Sequence, residues 1–226
     1  MSPRYPEAVV FDLDGTLVDS APEIMVALNE TMMPLGIREF SLVEVKEMVG
    51  AGALALIEKA AIRAGYELAP ERDAVMKRFM QTYAEVSTRG HALYPGTLEL
   101  LAALRERGIR CAICTNKAEH VAEIAVDACG LRPLVDHVVG ARDGRPRKPD
   151  RIMVDAALAP FGISPARAVM VGDSRADHGV ARAAGMPVVM VEFGYSSVPV
   201  AEFGPDAVVS HMDEILPLLP KLVAGP

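Results

Sequence analysis

With 226 residues, 51% of them hydrophobic, the chain can bury a sizeable core in one large domain or in a domain with a modest insertion. A formal net charge of −7 argues against a broad nucleic-acid footprint, although an acidic protein can still carry a local positive pocket for phosphate. No apolar run is long enough to span a membrane, and the polar, proline-containing segment Met1 to Glu7 does not read as a signal peptide, so the expected setting is cytoplasmic.

The predicted elements begin with an apolar strand, Ala8 to Phe11. From Ser20 to about Thr88 the pattern is helical and no convincing strand intervenes. Ser20 and Glu23 have capping-box spacing with Pro22 in the first turn, which predicts a helix from Ser20 toward Met33, ended by Pro34 and Gly36. Further helices are expected over Glu44 to Val49, Leu54 to Ala64 and Arg72 to Val86. After Tyr94-Pro95-Gly96 the chain alternates. Strands are expected at Ile109 to Cys114, Val138 to Val139, Ala168 to Val171, Val188 to Val191 and Ala207 to Val209. Helices are expected over Thr97 to Arg107, Ala118 to Cys129, Asp150 to Pro160 and Asp177 to Ala184. Continuous Val- and Ile-rich strands between helices predict an α/β fold, a doubly wound parallel sheet. The expected organisation is a core formed by residues 1–19 and 90–226 with a helical insertion over 20–89. Short connectors near Val18 to Ala21 and Gly90 to Gly96 are expected to act as hinges. Cys111 and Cys114 have CxxC spacing, but on a strand residues three apart face opposite ways, so they read as buried thiols.

Polar residues collect where apolar strands end, which is where open α/β sheets bind ligands. Asp12 and Asp14 follow the first strand, with Gly15 to turn the chain. Paired acids there suit a hard cation, a nucleophile or an acid–base group. Thr115 and Asn116 follow the second core strand; the hydroxyl suits a phosphate oxygen, and Thr-Asn equally suits a helix N-cap. Lys148, in Arg147-Lys148-Pro149-Asp150, can deliver positive charge to a phosphoryl group or stand as a surface lysine before a helix. Asp173 and Asp177 follow the strand ending at Val171, and Asp177 also suits a helix N-terminus. Gly50 and Gly52 read as a substrate-facing turn or as a helix boundary. Arg63, Lys59 and Arg89 read as solvated charges.

On these four motifs the chain resembles the haloacid dehalogenase-like hydrolases, in particular the phosphoglycolate phosphatase group, whose opening is similar to Phe11-Asp12-Leu13-Asp14-Gly15-Thr16. The resemblance implies a magnesium-dependent phosphatase with Asp12 as nucleophile and Asp14 as acid and base. It implies phosphate held by Leu13, Thr115, Asn116 and Lys148. It places magnesium on Asp12, Asp14 (through its backbone carbonyl), Asp173 and Asp177, the last through metal-bound water or by orienting Lys148. The inserted helices correspond to a cap. Arg151 replaces a usual proline and Ala176 a frequent Asn. The implied substrate is a small phosphorylated metabolite, with 2-phosphoglycolate first, and the protein would be a monomer or homodimer. A sugar phosphomutase, a pyrophosphatase and an inactive phosphate-binding regulatory module are the alternatives. A dehalogenase is disfavoured because Asp14 is present.

Overall fold

The computed structural model describes residues 5–223; the first four residues of the polar segment Met1 to Glu7 lie outside them. In chain order the elements are β1 (Ala8–Phe11), β2 (Val18–Asp19), α1 (Ala21–Met32), α2 (Leu42–Met48), α3 (Ala53–Ala64) and α4 (Arg72–Ser87). There follow β3 (Ala92–Leu93), α5 (Thr97–Glu106), β4 (Arg110–Ala118), α6 (Glu119–Ala128), β5 (His137–Ala141) and α7 (Ile152–Leu158). The chain closes with β6 (Ala168–Gly172), α8 (Arg175–Ala184), β7 (Val188–Val191), β8 (Ala207–Val209) and α9 (Ile215–Leu222).

Six strands form one sheet in the order β5-β4-β1-β6-β7-β8, and every pairing is parallel. The apolar runs are continuous because both faces are covered. Along β1, Val9 and Phe11 enter one hydrophobic cluster, with side chains of α5, α6 and α9, whereas Ala8 and Val10 enter the opposite cluster, with α7 and α8. Cys111 and Cys114 part in the same way, one into each cluster, and both are free buried thiols. Helices α1 to α4 share a third cluster built on Leu28, Phe40, Ile57 and Phe79, which packs against Val121 of α6.

The stretches read as hinges lie side by side: β2 and β3 form a short antiparallel ribbon, with Val18 opposite Leu93 and Asp19 opposite Ala92. One expectation is corrected. The Ser20–Glu23 capping box does not form. Ser20 gives no side-chain cap to α1; its hydroxyl donates instead to Asp14 at 2.6 Å, and Glu23 takes His91 at 3.0 Å. The charge-assisted bond holds the hydroxyl on Asp14, and the first amides of the turn, Ser20 N and Ala21 N, donate instead to the Tyr195 hydroxyl. The capping box of this region is one helix later, where Ser41 and Glu44 bond reciprocally at the start of α2. Strand β4 also runs on through Thr115, Asn116 and Lys117 to Ala118, with its register shifting between Cys114 and Ala118.

Candidate active site

Register brings the strand-end motifs together. Phe11 of β1 lies beside Ile113 of β4 and Val171 of β6, so the next residues of all three strands meet at one edge of the sheet. Asp12, Asp173 and Asp177 stand there, one carboxylate oxygen of each lying within 4.8 Å of the others, and all three are buried. Gly15 sits at φ 85° with Asp173 against the place a Cβ would occupy, and Gly172 has Asp177 in the same relation. Glycine at both positions lets the carboxylates close in.

Lys148 joins this cluster. It is 4% exposed, with Nζ 2.9 Å from Asp12 Oδ1 and 2.6 Å from Asp177 Oδ1. Burial works against its charge, but Asp12 and Asp177 outweigh it and hold the ammonium well above the ordinary lysine range. Asn116 fixes the segment: its Oδ1 accepts from Lys148 N at 2.9 Å, and its Nδ2 donates to Lys148 O and to Gly50 O, each at 3.2 Å. The Lys148–Pro149 bond is cis. Asp177 additionally accepts from Ser174 N at 3.0 Å and Ser174 Oγ at 2.6 Å, so it serves the start of α8 and Lys148 together.

Asp173 accepts from Tyr195 N at 2.7 Å and Thr16 Oγ1 at 3.2 Å. Thr115 is buried, with Oγ1 accepting from Lys117 N at 3.2 Å. It caps no helix through its side chain; Ala118 occupies the N-cap of α6. Leu13 turns its side chain into the core, and its N–H meets Asp12 Oδ1 at 2.7 Å. Arg151 is an exposed residue paired with Asp155, and Ala176 lines the cleft.

The carboxylate of Asp14 stands apart from the three-acid cluster. It accepts from Ser20 Oγ at 2.6 Å and from Lys117 Nζ at 2.9 Å. Burial alone would raise its pKa, but Lys117 and the Ser20 hydrogen bond bring it below the usual carboxylate value. Asp12 moves the other way: burial first, then Asp177, push it up to about 7 despite Lys148. Burial, Asp177 and Asp12 likewise push Asp173 well up. Without a bound cation the two neighbouring acids therefore sit on opposite sides of their ordinary range, Asp12 above it and Asp14 below it.

Three buried carboxylates face one lysine, and oxygen donors at this spacing fit a divalent cation such as magnesium. The sign of the electrostatics follows. A carboxyl raised from 3.8 to about 7 contributes stability that is fully present below pH 3.8 and is lost as pH rises through 7. Added magnesium is expected to raise the melting temperature by several degrees at pH 8 and by much less at pH 5. Equal shifts at the two pH values, read by calorimetry, would count against a cation at these acids.

Several residues of the site carried no role from sequence. Lys117 was visible within Cys114-Thr115-Asn116-Lys117, but its partners come from elsewhere: Asp14, and the Tyr83 hydroxyl of α4. Tyr195 takes Ser20 N at 2.7 Å and donates to Asp19 Oδ1 at 2.7 Å from a loop without periodicity. His91 is buried against Glu23, and burial and Lys117 lower its pKa. Of the charges read as solvated, Arg63 pairs with Glu47 at the surface, and Lys59 lines the cleft while donating to Met48 O.

The family model for haloacid dehalogenase-like hydrolases matches residues 9–191. A phosphoglycolate phosphatase from Rhodospirillum rubrum is 42% identical over 208 residues, covering 90% of this chain and 86% of the relative. One from Caulobacter vibrioides is 40% identical over 202 residues, covering 89% and 85%. The crystal structure of a predicted phosphoglycolate phosphatase from Haemophilus somnus 129PT superposes with a TM-score of 0.86 at 30% identity, over 94% of this chain and 97% of the other. The matched span contains all four strand-end motifs, and the chain belongs to the haloacid dehalogenase-like hydrolase family.

Proposed function

We propose that the chain is a cytoplasmic, magnesium-dependent phosphatase that hydrolyses a small phosphorylated metabolite, first among them 2-phosphoglycolate, through a phosphorylated Asp12. The chain is a phosphoric monoester hydrolase, as its family and its phosphatase relatives indicate. The observation that carries the finer reading is the separation of the acids: Asp12 shares Lys148 with Asp177, while Asp14 is held on Ser20 and Lys117.

In this reading an Asp12 oxygen attacks phosphorus, forming an acyl phosphate as the ester P–O bond breaks. Lys148 balances the charge of the nucleophile and of the incoming dianion. Asp14, which the Lys117 ion pair holds ionised and which therefore first takes up a proton, gives that proton to the departing oxygen. It then takes a proton from a water that attacks the same phosphorus, releasing phosphate and restoring Asp12. Thr115 Oγ1 and the amides of Leu13 and Asn116 hold phosphoryl oxygens. Asp12, Asp173 and the Asp14 backbone carbonyl would hold magnesium, which supplies positive charge to the phosphoryl oxygens when bound. Asp177 positions Lys148 at 2.6 Å.

Helices α1 to α4 act as a cap over the crevice, excluding water while the acyl phosphate forms. Gly50 of this unit reaches Asn116, and Tyr83 reaches Lys117, so its closure bears on both motifs of β4. No helix among the described residues is long and apolar enough to cross a membrane.

The test is phosphate release from 2-phosphoglycolate beside a panel of phosphorylated metabolites and pyrophosphate, with magnesium and with chelator. Chelator-sensitive release favouring 2-phosphoglycolate is expected. Release favouring another ester keeps the route and replaces the substrate. Interconversion of sugar phosphates without free phosphate would replace the hydrolase by a phosphomutase.

A further inference from the structure

Lys117 is a buried cation on the crevice with no part in the steps above. Its side chain is 1% exposed, and Nζ donates to Asp14 Oδ1 at 2.9 Å and contacts the Tyr83 hydroxyl. An ammonium has three N–H donors, so these two partners leave one over. The Tyr83 hydroxyl, when it accepts from Lys117, keeps its own O–H to donate. Both groups line a cavity of about 50 Å3 between α3, α4 and β4. Its other walls are largely apolar, with Ile24, Leu56, Phe79 and Met80.

The order of groups along the crevice sets what fits there. The phosphoryl end belongs to Asp12 and Lys148, and the ester oxygen belongs to Asp14. The organic part of the substrate therefore enters the space beyond Asp14, where Lys117 stands one ion pair further on. A water needs roughly 10–15 Å3 of such space, so the cavity takes about three or four small groups. A carboxymethyl group is that size and a sugar ring is not. A desolvated ammonium with a spare donor beside a phenol is a match for a carboxylate.

We propose that Lys117 and Tyr83 form a carboxylate subsite, making Lys117 the residue that selects short phosphorylated acids over neutral esters of the same length. The proposal rests on the phosphatase reading and names the substrate class of that site. Because Tyr83 belongs to α4, the subsite is complete only when the helical unit is seated as it is here.

The experiment compares KM and kcat for 2-phosphoglycolate and for ethyl phosphate, with magnesium, in the wild-type protein, Lys117→Gln, Lys117→Arg and Ala53→Asp. Ala53 lines the same cavity at the first turn of α3, where an acid is favourable to the helix, so this variant adds a competing negative charge while leaving Lys117 and Asp14 themselves unchanged. Lys117→Gln is expected to raise KM for 2-phosphoglycolate about tenfold and to leave KM for ethyl phosphate within about twofold. Lys117→Arg should recover part of the loss, and Ala53→Asp should raise KM for the acid alone. An equal loss of kcat on both esters in Lys117→Gln, with no change in KM ratio in Ala53→Asp, would overturn the subsite and leave Lys117 acting through Asp14. A wild-type preference for 2-phosphoglycolate that survives in every variant removes the subsite and keeps the phosphatase reading. Hydrolysis of neither ester by the wild-type protein removes both.

Discussion

Asp12→Asn is expected to lower phosphatase turnover by at least about 10⁴-fold while leaving the fold in place. The amide has the size and shape of the carboxylate but cannot attack phosphorus, and no other buried acid takes its position: Asp177 is tied to Lys148 and Ser174, and Asp173 to Tyr195 and Thr16. Stability should change little. The substitution removes a charge that burial and Asp177 disfavour, but it also removes one of the two partners of Lys148. The measurement is phosphate release by freshly purified protein, with a melting curve on the same sample. Wild-type-like turnover by a folded sample would reject Asp12 as the nucleophile.

Lys148→Met is expected to damage both activity and stability, and to do so in a pH-dependent way. Among the described residues Lys148 is the one cation bonded to Asp12 and Asp177, and its removal leaves buried carboxylates facing one another. Removing one partner of a buried ion pair costs about 3–5 kcal/mol, and losing the cation that faces the phosphoryl group should lower kcat by about 10³-fold. The acids can escape part of the stability cost by binding protons. Asp12, already raised to about 7, would bind its proton more tightly still without Lys148. The variant should therefore be far less stable than the wild type at pH 8 and closer to it at pH 5.5. Denaturant midpoints at the two pH values decide the matter: an equal loss at both would mean that Lys148 contributes through packing rather than charge.

The parts of the site that could be read in advance share one property. Asp12 and Asp173 each follow an apolar strand closely and Thr115 follows the apolar run of β4, and such a run's end is legible because burial makes its residues uniformly hydrophobic and the first polar residue marks the edge. Lys148 and Asp177 are implied by the resemblance of their motifs to those of the family. What escaped the reading came from short or irregular segments. The β2–β3 ribbon has only two residues in each strand, too few for any period to show. Lys117 reaches Asp14 from the segment of β4 whose register shifts, so strand alternation could not say which way it points. Ser20 shows a local rule losing to a tertiary one: its spacing to Glu23 is that of a helix cap, yet Asp14 takes the hydroxyl.

The sequence by itself determined the parallel α/β core and the helical character of residues 20–89, because continuous apolar strands and amphipathic helices are properties of local order that burial enforces along the chain. It also placed Asp12 and Asp173 just beyond strand ends. Only the tertiary structure decided how those charges are shared. That Lys148 bridges Asp12 and Asp177, that Asp14 is held instead by Ser20 and Lys117, and that Tyr83 closes the pocket beside Lys117 are contacts that join residues as far apart as Asp12 and Lys148. Such pairings depend on sheet register and on how the helical unit is seated, and neither is written in the local pattern of any one segment.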